Sequence, residues 1–495
     1  MTVMAAVDLG AQSGRVAVGR FDGSRLDLTE VHRFVNEPVE EAGHLRWDIR
    51  RLYAESVDGL RAAARDTAIN SVAVDAWAVD FGLLDAAGEL VENPVHYRDA
   101  RRAAAAPEVF SRVPPRELYE RTGIQLLPIN TVFELAAMVV EHDPALDAAD
   151  GLLFVPDLFH HRLCGSRTTE LTNATTTQCF DAVTRTWATD LLERLDIPTR
   201  LLPEVVAPGT LLGSVTAETA EATGLGAAAV IAPGTHDTAS AVAGVPFRNA
   251  GSVFLSVGTW SLVGMEVERP LINDETYGAN LTNEGGVAGT YRLLRNVTGL
   301  WLLHECRRAW AAQGTELAFD QLVNLARTAP PLRSFIDPNA EAFLEPGDMP
   351  QRIRDFCRHT NQQEPTDVAA TVRCVLESLA LKHAEIVDVL RRVTGSDPAE
   401  LHVVGGGARN ELLCGWTADA SGLPVLAGPE EATLLGNLLV QAMALGEIAT
   451  LAEARDVVRA SFAPTTYEPR QSDEWQEARE RFARLPREIG LELTA

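Results

Sequence analysis

Residues able to bind a phosphate group follow the first apolar run of the sequence. Asp8 is followed by the loop Gly10–Arg15, in which two glycines allow a tight turn and successive backbone amides can bind an anion. Gln12 and Ser13 add side-chain donors, and Arg15 adds a positive charge. Asp8, at the end of the run, is placed to hold a magnesium ion through water. A plain β-hairpin, with glycines only for its turn, explains the same residues without a ligand.

Two later loops contain similar residues. Ser256–Ser261 contains Gly258 followed by the hydroxyl of Thr259, and Gly405–Asn410 begins with three successive glycines. The second loop is not a dinucleotide fingerprint, because Asn410 stands at the position of the required final glycine. Bare glycine backbone can pack against a phosphate group or a flat adenine ring. Each loop alone is weak evidence, whereas three such loops in this order indicate a nucleotide site.

A candidate general base follows the predicted strand that ends at Ile231. Asp237 lies between His236 and Thr238, directly before a predicted helix, where open α/β sheets place their ligands. Its carboxylate could take a proton from a hydroxyl that attacks phosphorus, a contribution of about 10²–10⁴ in rate. The alternative is a helix N-cap with no catalytic role.

Carboxylates, amides and an aromatic ring that suit a sugar occur in two segments. Asp75–Phe81 places Trp77 among alternating acids on one predicted strand. Asn280–Gly286 and Asn296 supply further amide groups. An aromatic face can pack against a sugar ring, but Trp77 fits the hydrophobic core equally well.

These residues must be positioned by alternating strands and helices, the pattern of an α/β protein. Buried strands are predicted at 5–9, 15–19, 69–75, 152–155, 228–231, 252–256 and 401–404, and helices at 51–66 and 368–393. The order strand, glycine, hydroxyl, strand occurs at 8–18 and again at 256–265. Two similar halves around a nucleotide explain this recurrence, and coincidence between two ordinary hairpins explains it equally well.

Composition excludes several classes of protein. The 495 residues carry 43 basic and 69 acidic side chains, a net charge of −26, which disfavours nucleic acid and anionic membranes as partners. Lys382 is the only lysine in the sequence, so neither a P-loop nor a protein-kinase site is available. Phosphate must therefore be bound by backbone amides, arginine or a metal ion.

The sequence predicts a soluble, cytoplasmic protein. The N-terminal segment has no basic region and reaches an acid at Asp8, unlike a signal peptide, and no apolar run approaches the ~18 residues of a membrane span. None of the six cysteines forms a Cys-x-x-Cys pair. Cys357 and Cys374 are spaced to bridge across a loop, but free thiols are favoured. No amphipathic seam distinguishes a monomer from a homodimer.

Taken together, these segments resemble the FGGY carbohydrate kinases over residues 7 to about 465. The resemblance rests on VDLGAQSGR, WAVDFGLLD, TGIQLLPINT, TNATTTQ, HDTASAV, SVGTWSL, TNEGG, RNVTGLWLL and LHVVGGGARN. It implies two actin-like (ribonuclease H-like) ATPase domains with a nucleotide and sugar cleft between them. Residues 1–245 would carry the sugar side, the first phosphate loop and the base. Residues 246–495 would carry the second phosphate loop and the adenosine-binding glycine loop.

The resemblance also implies a role for individual residues. Asp237 would accept the proton, with magnesium and ATP as the phosphoryl-donating pair and Asp8 as the metal residue. The residues implied to bind ATP are Ala11, Gln12, Ser13, Gly14, Arg15, Thr259, His304 and Gly406. Those implied to contact the sugar are Trp77, Ala78, His236, Asp237, Thr238 and Asn296.

The segments TGIQLLPINT, TNATTTQ and TNEGG point to the branch of the family that phosphorylates L-rhamnulose at position 1. Two residues depart from the pattern of that branch: Ala78 replaces a common glycine near the sugar, and His304 replaces a common glutamine near the nucleotide. L-Fuculose and D-xylulose therefore stay open as substrates. An actin-like ATPase that acts as a sensor or assembly protein is the alternative from another class.

Overall fold

The computed structural model describes residues 1–249, 251–470 and 472–486 as an α/β protein. The strands are β1 Thr2–Leu9, β2 Ser13–Phe21, β3 Leu26–Val35, β4 Val39–Glu41, β5 His44–Arg46, β6 Ser71–Ala76, β7 Phe81–Leu84, β8 Gly151–Phe154, β9 Thr168–Glu170, β10 Phe180–Asp181, β11 Thr186–Trp187, β12 Glu204–Val206, β13 Leu211–Ser214, β14 Ala229–Ile231, β15 Val253–Val257, β16 Trp260–Val267, β17 Thr282–Gly285, β18 Tyr291–Thr298, β19 Leu401–Val404, β20 Val425–Ala427 and β21 Thr465–Tyr467.

The helices alternate with these strands along the chain. They are α1 Ile49–Ala64, α2 Ala100–Arg112, α3 Pro115–Thr122, α4 Thr131–Val140, α5 Pro144–Ala148, α6 Val155–Cys164, α7 Leu171–Ala174, α8 Thr189–Arg194, α9 Ala217–Thr223, α10 Asp237–Ala243, α11 Asp274–Gly278, α12 Trp301–Ala312, α13 Phe319–Ala326, α14 Met349–His359, α15 Val368–Thr394, α16 Glu411–Ser421, α17 Ala432–Ala444, α18 Leu451–Ser461 and α19 Asp473–Ala483.

The chain divides into two compact units. Unit 1 comprises residues 1–246, 266–293 and 431–463, and unit 2 comprises 247–265, 294–430 and 464–495. Segments of the second half of the sequence therefore belong to unit 1. The sequence-based boundary between residues 245 and 246 stays a prediction.

Unit 1 is built on a six-stranded sheet with the order β13-β14-β6-β1-β2-β3. The hairpin β1–β2 is antiparallel, whereas β1 pairs with β6, and β6 with β14, in parallel. Every residue of β6 is buried, which is typical of a parallel strand covered on both faces. Helices α17 and α18 contribute apolar side chains to one core with β1, β2 and β3. The carboxyl ends of β1, β6 and β14 thus lie side by side.

Unit 2 repeats this arrangement of strands. The hairpin β15–β16 is antiparallel, β15 pairs with β19 in parallel, and β20 and β21 extend the sheet. The 27-residue helix α15 is capped at its start by Asp367 and ends at Gly395 in the left-handed conformation, as a glycine C-cap allows. The order strand, glycine, hydroxyl, strand that recurs in the sequence therefore corresponds to the two hairpins β1–β2 and β15–β16, one in each unit.

Most predicted elements are confirmed within a few residues, but two are corrected. The segment Asp75–Phe81 is not one strand: β6 ends at Ala76 and β7 begins at Phe81, and Val79 between them has a positive φ of 67°. The predicted strand at 152–155 ends at Phe154, because Val155 begins α6. All six cysteines have free thiols. In the described residues, no helix is both long enough and apolar enough to cross a membrane.

Candidate active site

Three aspartates lie at the ends of neighbouring strands in unit 1. Asp8 is the parallel partner of Asp75 in the register of β1 and β6. On the other side of β6, the segment after β14 continues the parallel pairing through a bridge between Ala76 and His236. The Ala76 N–H donates to the Thr235 carbonyl at 2.9 Å. Asp237 follows this bridge directly. The sheet therefore brings Asp8, Asp75 and Asp237 to one edge, where α/β sheets bind ligands.

Asp8 is held in place by a charged partner from the opposite strand of its hairpin. The guanidinium of Arg15 forms ion pairs with both Asp8 and Glu431. Burial disfavours the charged form of Arg15, but the carboxylates of Asp8, Glu431 and Asp75 outweigh it and raise its pKa. The Asp8 side chain is itself buried. Arg15 thus remains charged and compensates the acidic cluster.

Asp75 is fully buried and is oriented by helix α17. Its Oδ2 accepts a hydrogen bond from Asn437 Nδ2 at 2.6 Å, and Gln441 Nε2 donates to Asn437 Oδ1 at 2.7 Å. The second oxygen, Oδ1, is buried without a hydrogen-bond partner in the described residues. Burial and then the charge of Asp8 raise the pKa of Asp75 well above its ordinary value. Asp75 therefore has a structural role in the cluster, because its buried side chain is not accessible to a ligand.

Asp237 is the member of the trio that solvent reaches, since 31% of its side chain is exposed. It is the first residue of α10, and His236 occupies the N-cap position. Thr238 Oγ1 donates to its Oδ1 at 3.0 Å. Burial by its surroundings raises the pKa of Asp237 above the ordinary 3.8, Asp8 raises it further, and hydrogen bonds from Thr238 oppose the rise. This environment suits a carboxylate that accepts a proton.

His236 lies between Asp237 and a buried ion pair. Its Nε2 is 3.4 Å from Asp237 Oδ1, and its Nδ1 accepts a hydrogen bond from Arg292 Nη2 at 3.1 Å. Arg292 Nη1 lies 3.2 Å from Glu284 Oε2. Arg292 is 0% exposed, and burial lowers its pKa, although Glu284 raises it. Arg292 was not predicted to act in the site, whereas Glu284 lies in the candidate segment Asn280–Gly286.

The segment that precedes Asp237 is held by the buried carboxylate of Glu170. Glu170 Oε2 accepts hydrogen bonds from the backbone N–H and the hydroxyl of Thr235 at 2.8 and 2.9 Å. Thr172 Oγ1 accepts from the His236 N–H at 3.2 Å. Burial raises the pKa of Glu170 to about 7. Glu170 and Thr172, the first residue of the TNATTTQ segment, thus support the backbone from which Asp237 extends.

Trp77 and Ala78 lie in the turn between β6 and β7. Trp77 is buried and packs against Trp47 in a tilted arrangement, with 4.2 Å between ring centroids. Its Nε1 donates to Asp80 Oδ2 at 2.9 Å. Arg102 Nη2 donates to Asp80 Oδ1 at 2.6 Å. Ala78 is half-buried, and its carbonyl accepts from the Asp80 N–H at 2.9 Å. These contacts give Trp77 a structural role, and its contact with a sugar stays a prediction.

The first glycine loop joins β1 to β2. The Gly10 N–H donates to the Ser13 carbonyl at 3.1 Å, which closes the turn. Ala11 and Ser13 are half-buried, and Gln12 is exposed. A Cβ on Gly14 would lie 2.1 Å from the ring of Phe34. Gly14 is thus required by packing, which the sequence pattern did not reveal.

In unit 2, the turn between β15 and β16 is fixed by the start of α12. The carbonyl of Thr259 accepts from the N–H groups of Gly299 and Trp301 at 3.1 and 3.2 Å. A Cβ on Gly299 would lie 2.6 Å from the backbone of Trp260. The half-buried Thr259 therefore has a backbone position set by close packing, while Gly258 is exposed.

The three successive glycines at 405–407, in unit 2, have different environments. Gly405 has a φ of +79°, and a Cβ on it would lie 3.1 Å from the Val257 carbonyl oxygen. A Cβ on Gly407 would lie 2.2 Å from the Val257 side chain. Gly406 is exposed, with no atom within 4 Å of an added Cβ. Gly405 and Gly407 pack the loop on β15, and Gly406 is left open to a ligand.

Two further predicted residues also lie in unit 2. His304, on α12, stacks on Phe319 with 5.8 Å between ring centroids, and burial and then Arg307 lower its pKa. Asn296, on β18, is half-buried, and its carbonyl accepts from Asn339 Nδ2 at 3.3 Å. The neutral form of His304 is therefore favoured, in which one ring nitrogen can donate and the other accept.

The acids of unit 1 fit a divalent cation only if water and substrate phosphates supply the other ligands. In the part of the chain that the structure describes, no group of three or more His, Cys, Asp or Glu side chains is arranged to hold a metal ion. Magnesium is usually held by one or two carboxylates together with water and substrate phosphates. The carboxylate of Asp8 can serve as one such ligand.

Family models match nearly the whole chain. The N-terminal domain of the FGGY family of carbohydrate kinases matches residues 3–244, and its C-terminal domain matches residues 253–445. The chain belongs to the FGGY family of carbohydrate kinases. Members of this family transfer a phosphoryl group to a sugar, so this FGGY kinase is an ATP-dependent enzyme, as the sequence predicts.

Curated relatives and solved structures agree with this membership. The FGGY kinase is 43% identical to a rhamnulokinase of Bacteroides thetaiotaomicron over 96% of its own length and 97% of the relative's. It is 40% identical to a rhamnulokinase of Pectobacterium atrosepticum, over 97% and 96% of the two chains. Its fold matches that of a xylulose kinase from Lactobacillus acidophilus with a TM-score of 0.80 at 17% identity, over 98% and 96% of the chains. The predicted fold is thereby confirmed.

Proposed function

We propose that this enzyme transfers the γ-phosphoryl group of ATP to L-rhamnulose and forms L-rhamnulose 1-phosphate. The proposal of this sugar is supported by relatives named rhamnulokinase that are 37–43% identical to the chain over nearly its full length. We also propose the cytoplasm as its compartment, because ATP is supplied there.

Asp237 is the proposed general base. The observation that carries this role is its position: it is the partly exposed carboxylate of the acidic cluster at the strand ends, and its pKa is raised. The oxygen of the sugar's primary hydroxyl attacks the γ-phosphorus, its proton passes to Asp237, and the bond to the bridging oxygen of ADP breaks. Because Thr238 and His236 both approach Oδ1, Oδ2 is the proposed proton acceptor. Phosphoryl transfer relies mainly on such positioning and on charge stabilisation.

The contacts proposed for the nucleotide concern its phosphates and its nucleoside. Backbone amides of Ala11–Arg15 and the hydroxyl of Thr259 are proposed to bind phosphate oxygens. The exposed Gly406 and the neutral His304 are proposed to contact the nucleoside. Asp8 would hold magnesium, which neutralises phosphate charge when bound. The only lysine in the sequence is buried. The loops are therefore proposed to make the phosphate contacts that a lysine makes in a P-loop.

The sugar is assigned to residues around the base. His236 and Thr238 flank Asp237 and are proposed to contact hydroxyl groups of the ketose, together with Asn296. The backbone of Ala78 is proposed to face the sugar, where its methyl group narrows the pocket relative to glycine.

A coupled assay of ADP release tests the substrate. Purified enzyme is given magnesium, ATP and one of L-rhamnulose, L-fuculose, D-xylulose or glycerol, and kcat/KM values are compared. The largest kcat/KM for L-rhamnulose is expected. A preference for another ketose would reject the substrate and keep the chemistry. ADP release that does not depend on any sugar would favour the actin-like ATPase alternative.

A substitution at the base tests the mechanism. Asp237→Asn keeps the shape of the side chain but removes the proton acceptor, so kcat should fall by about 10²–10⁴ while ATP still binds. Asp22→Asn, at an exposed turn in the same unit, serves as the control and should keep full activity. A kcat near the wild-type value in Asp237→Asn would reject Asp237 as the base.

A further inference from the structure

The protonation of His236 is the feature from which we draw a further inference. Its two ring nitrogens meet different partners, since Nδ1 faces Arg292 Nη2 at 3.1 Å and Nε2 faces Asp237 Oδ1 at 3.4 Å. The backbone N–H of His236 is bound separately by the Thr172 hydroxyl. The position of the ring proton is therefore decided by Arg292, Asp237 and the neighbouring Glu284.

Arg292 can only donate hydrogen bonds, because a guanidinium has no acceptor. Its Nε also donates to the Gly285 carbonyl at 2.9 Å, so the planar group is fixed in orientation. A proton on His236 Nδ1 would place one donor against another. The lone pair must therefore be on Nδ1 and the proton on Nε2.

Glu284 is the one group here that favours the opposite arrangement. Its Oε2 lies 3.3 Å from His236 Nδ1 and would attract a proton to it, which would make the ring an imidazolium between two carboxylates. However, the same oxygen lies 3.2 Å from Arg292 Nη1, so its charge is already compensated. An imidazolium would also place a second positive charge beside the fully buried Arg292.

We propose that Arg292 is a positioning residue that keeps His236 neutral, with its single proton on Nε2 and directed at Asp237 Oδ1. This inference rests on the proposed role of Asp237. The Nε2–H group holds Oδ1 in place and leaves Oδ2 for the substrate proton. A neutral ring also avoids the strong ion pair that would make Asp237 a weaker base.

The tautomer can be measured in the wild-type protein. Long-range ¹H–¹⁵N correlation spectra of histidine-labelled enzyme distinguish a ring nitrogen with a proton from one without. The His236 signals are assigned by comparison with His236→Gln. An unprotonated Nδ1 and a protonated Nε2 throughout the neutral pH range are expected. A proton on Nδ1, alone or in an imidazolium, would overturn the proposal.

Kinetics then test the consequence for the base. Arg292→Leu removes the donor, and Nδ1 can take a proton shared with Glu284. A fall in kcat of about 10–100-fold is expected, which is typical of losing a group that orients a functional side chain. The acid limb of the pH profile should also move to lower pH.

The double variant Arg292→Leu/Glu284→Gln removes the uncompensated carboxylate and should restore folding and part of kcat. Arg292→Lys keeps a charged donor and should lose less.

The control is another buried arginine of unit 1. Arg101 is 6% exposed and pairs with Glu134 and, at 3.3 Å, with Asp143. Arg101→Leu should lower stability without moving the pH profile. An unchanged profile in folded Arg292→Leu would overturn the positioning role. Failure of the base itself is distinguished separately, because an active Asp237→Asn would reject Asp237 whatever the tautomer of His236.

Discussion

The close contact of α10 with α17 predicts a substitution that displaces the proposed catalytic base. Gly436, within α17, faces the backbone of α10, and a Cβ at this position would lie 1.7 Å from the Ser240 carbonyl oxygen. The contact is reciprocal, because a Cβ on Gly244 would lie 2.5 Å from the Ala432 carbonyl oxygen. Two helix backbones thus touch without side chains between them. Asp237 begins the helix that Gly436→Ala would push away.

The size of the effect follows from this distance. Ordinary van der Waals contact of a Cβ begins near 3.4 Å, so the α10 backbone would have to retreat by about 1.7 Å. Overpacking of this kind costs about 1–3 kcal/mol or more, and the better helix propensity of alanine offsets about 1 kcal/mol of it. A displacement of about 1 Å at a reacting group can lower the rate by about 10². Gly436→Ala should therefore be less stable and at least tenfold slower.

Gly415→Ala is the matched control, a glycine-to-alanine change inside another helix. The nearest atom to a Cβ on Gly415, in α16, is Tyr467 Cδ1 at 3.9 Å, so this variant should gain up to about 1 kcal/mol. Urea unfolding and the coupled ADP assay measure both variants. A Gly436→Ala variant with wild-type stability and kcat would refute the reasoning, because it would show that α10 and α17 accommodate the methyl group.

Three other predictions follow from charges and burial. Because a base must be ionised and the pKa of Asp237 lies above 3.8, kcat/KM should fall as the pH drops through this raised value; a profile flat down to pH 4 would contradict the shift. Lys382→Met removes the ammonium that lies 3.3 Å from Asp337 and 3.6 Å from Glu385 and should cost about 3–5 kcal/mol in urea unfolding. In the wild type, an amine-reactive ester should modify this buried lysine only after unfolding, as mass spectrometry would show. Trp77→Phe should cost about 1–2 kcal/mol through its lost hydrogen bond with little change in the sugar KM, whereas a tenfold rise in KM would assign Trp77 to the sugar.

The periodic elements could be read from the sequence because their burial is regular. Helix α15 is predicted at 368–393 and runs from Val368 to Thr394, and β19 is predicted from a short apolar run before the glycines. The prediction failed at Asp75–Phe81, where alternating residues suggested one strand. There the backbone turns at Val79, and Asp80 accepts hydrogen bonds from the nearby Trp77 and from Trp47, which is 33 positions away.

Some residues of the candidate site could be identified from the sequence, and others could not. Asp8 and Asp237 were found because each follows a strand and lies near glycine or hydroxyl residues. Arg292 gave one weak signal, a charge in the otherwise apolar run Tyr291–Leu294. Nothing near it in the sequence showed that it meets His236, which is 56 positions away.

The sequence alone determined the family, the alternation of strands with helices, and the residue types that chemistry with phosphate and sugar requires. These are local properties, since a glycine turn, a strand end and a hydroxyl can be recognised within a few positions. Tertiary structure alone decided which acids are buried, which one is exposed, and which partners meet the two ring nitrogens of His236. Such properties depend on desolvation and on charges brought together from distant segments, as Asn437 reaches Asp75 across 362 positions. No local pattern of residues encodes those distances.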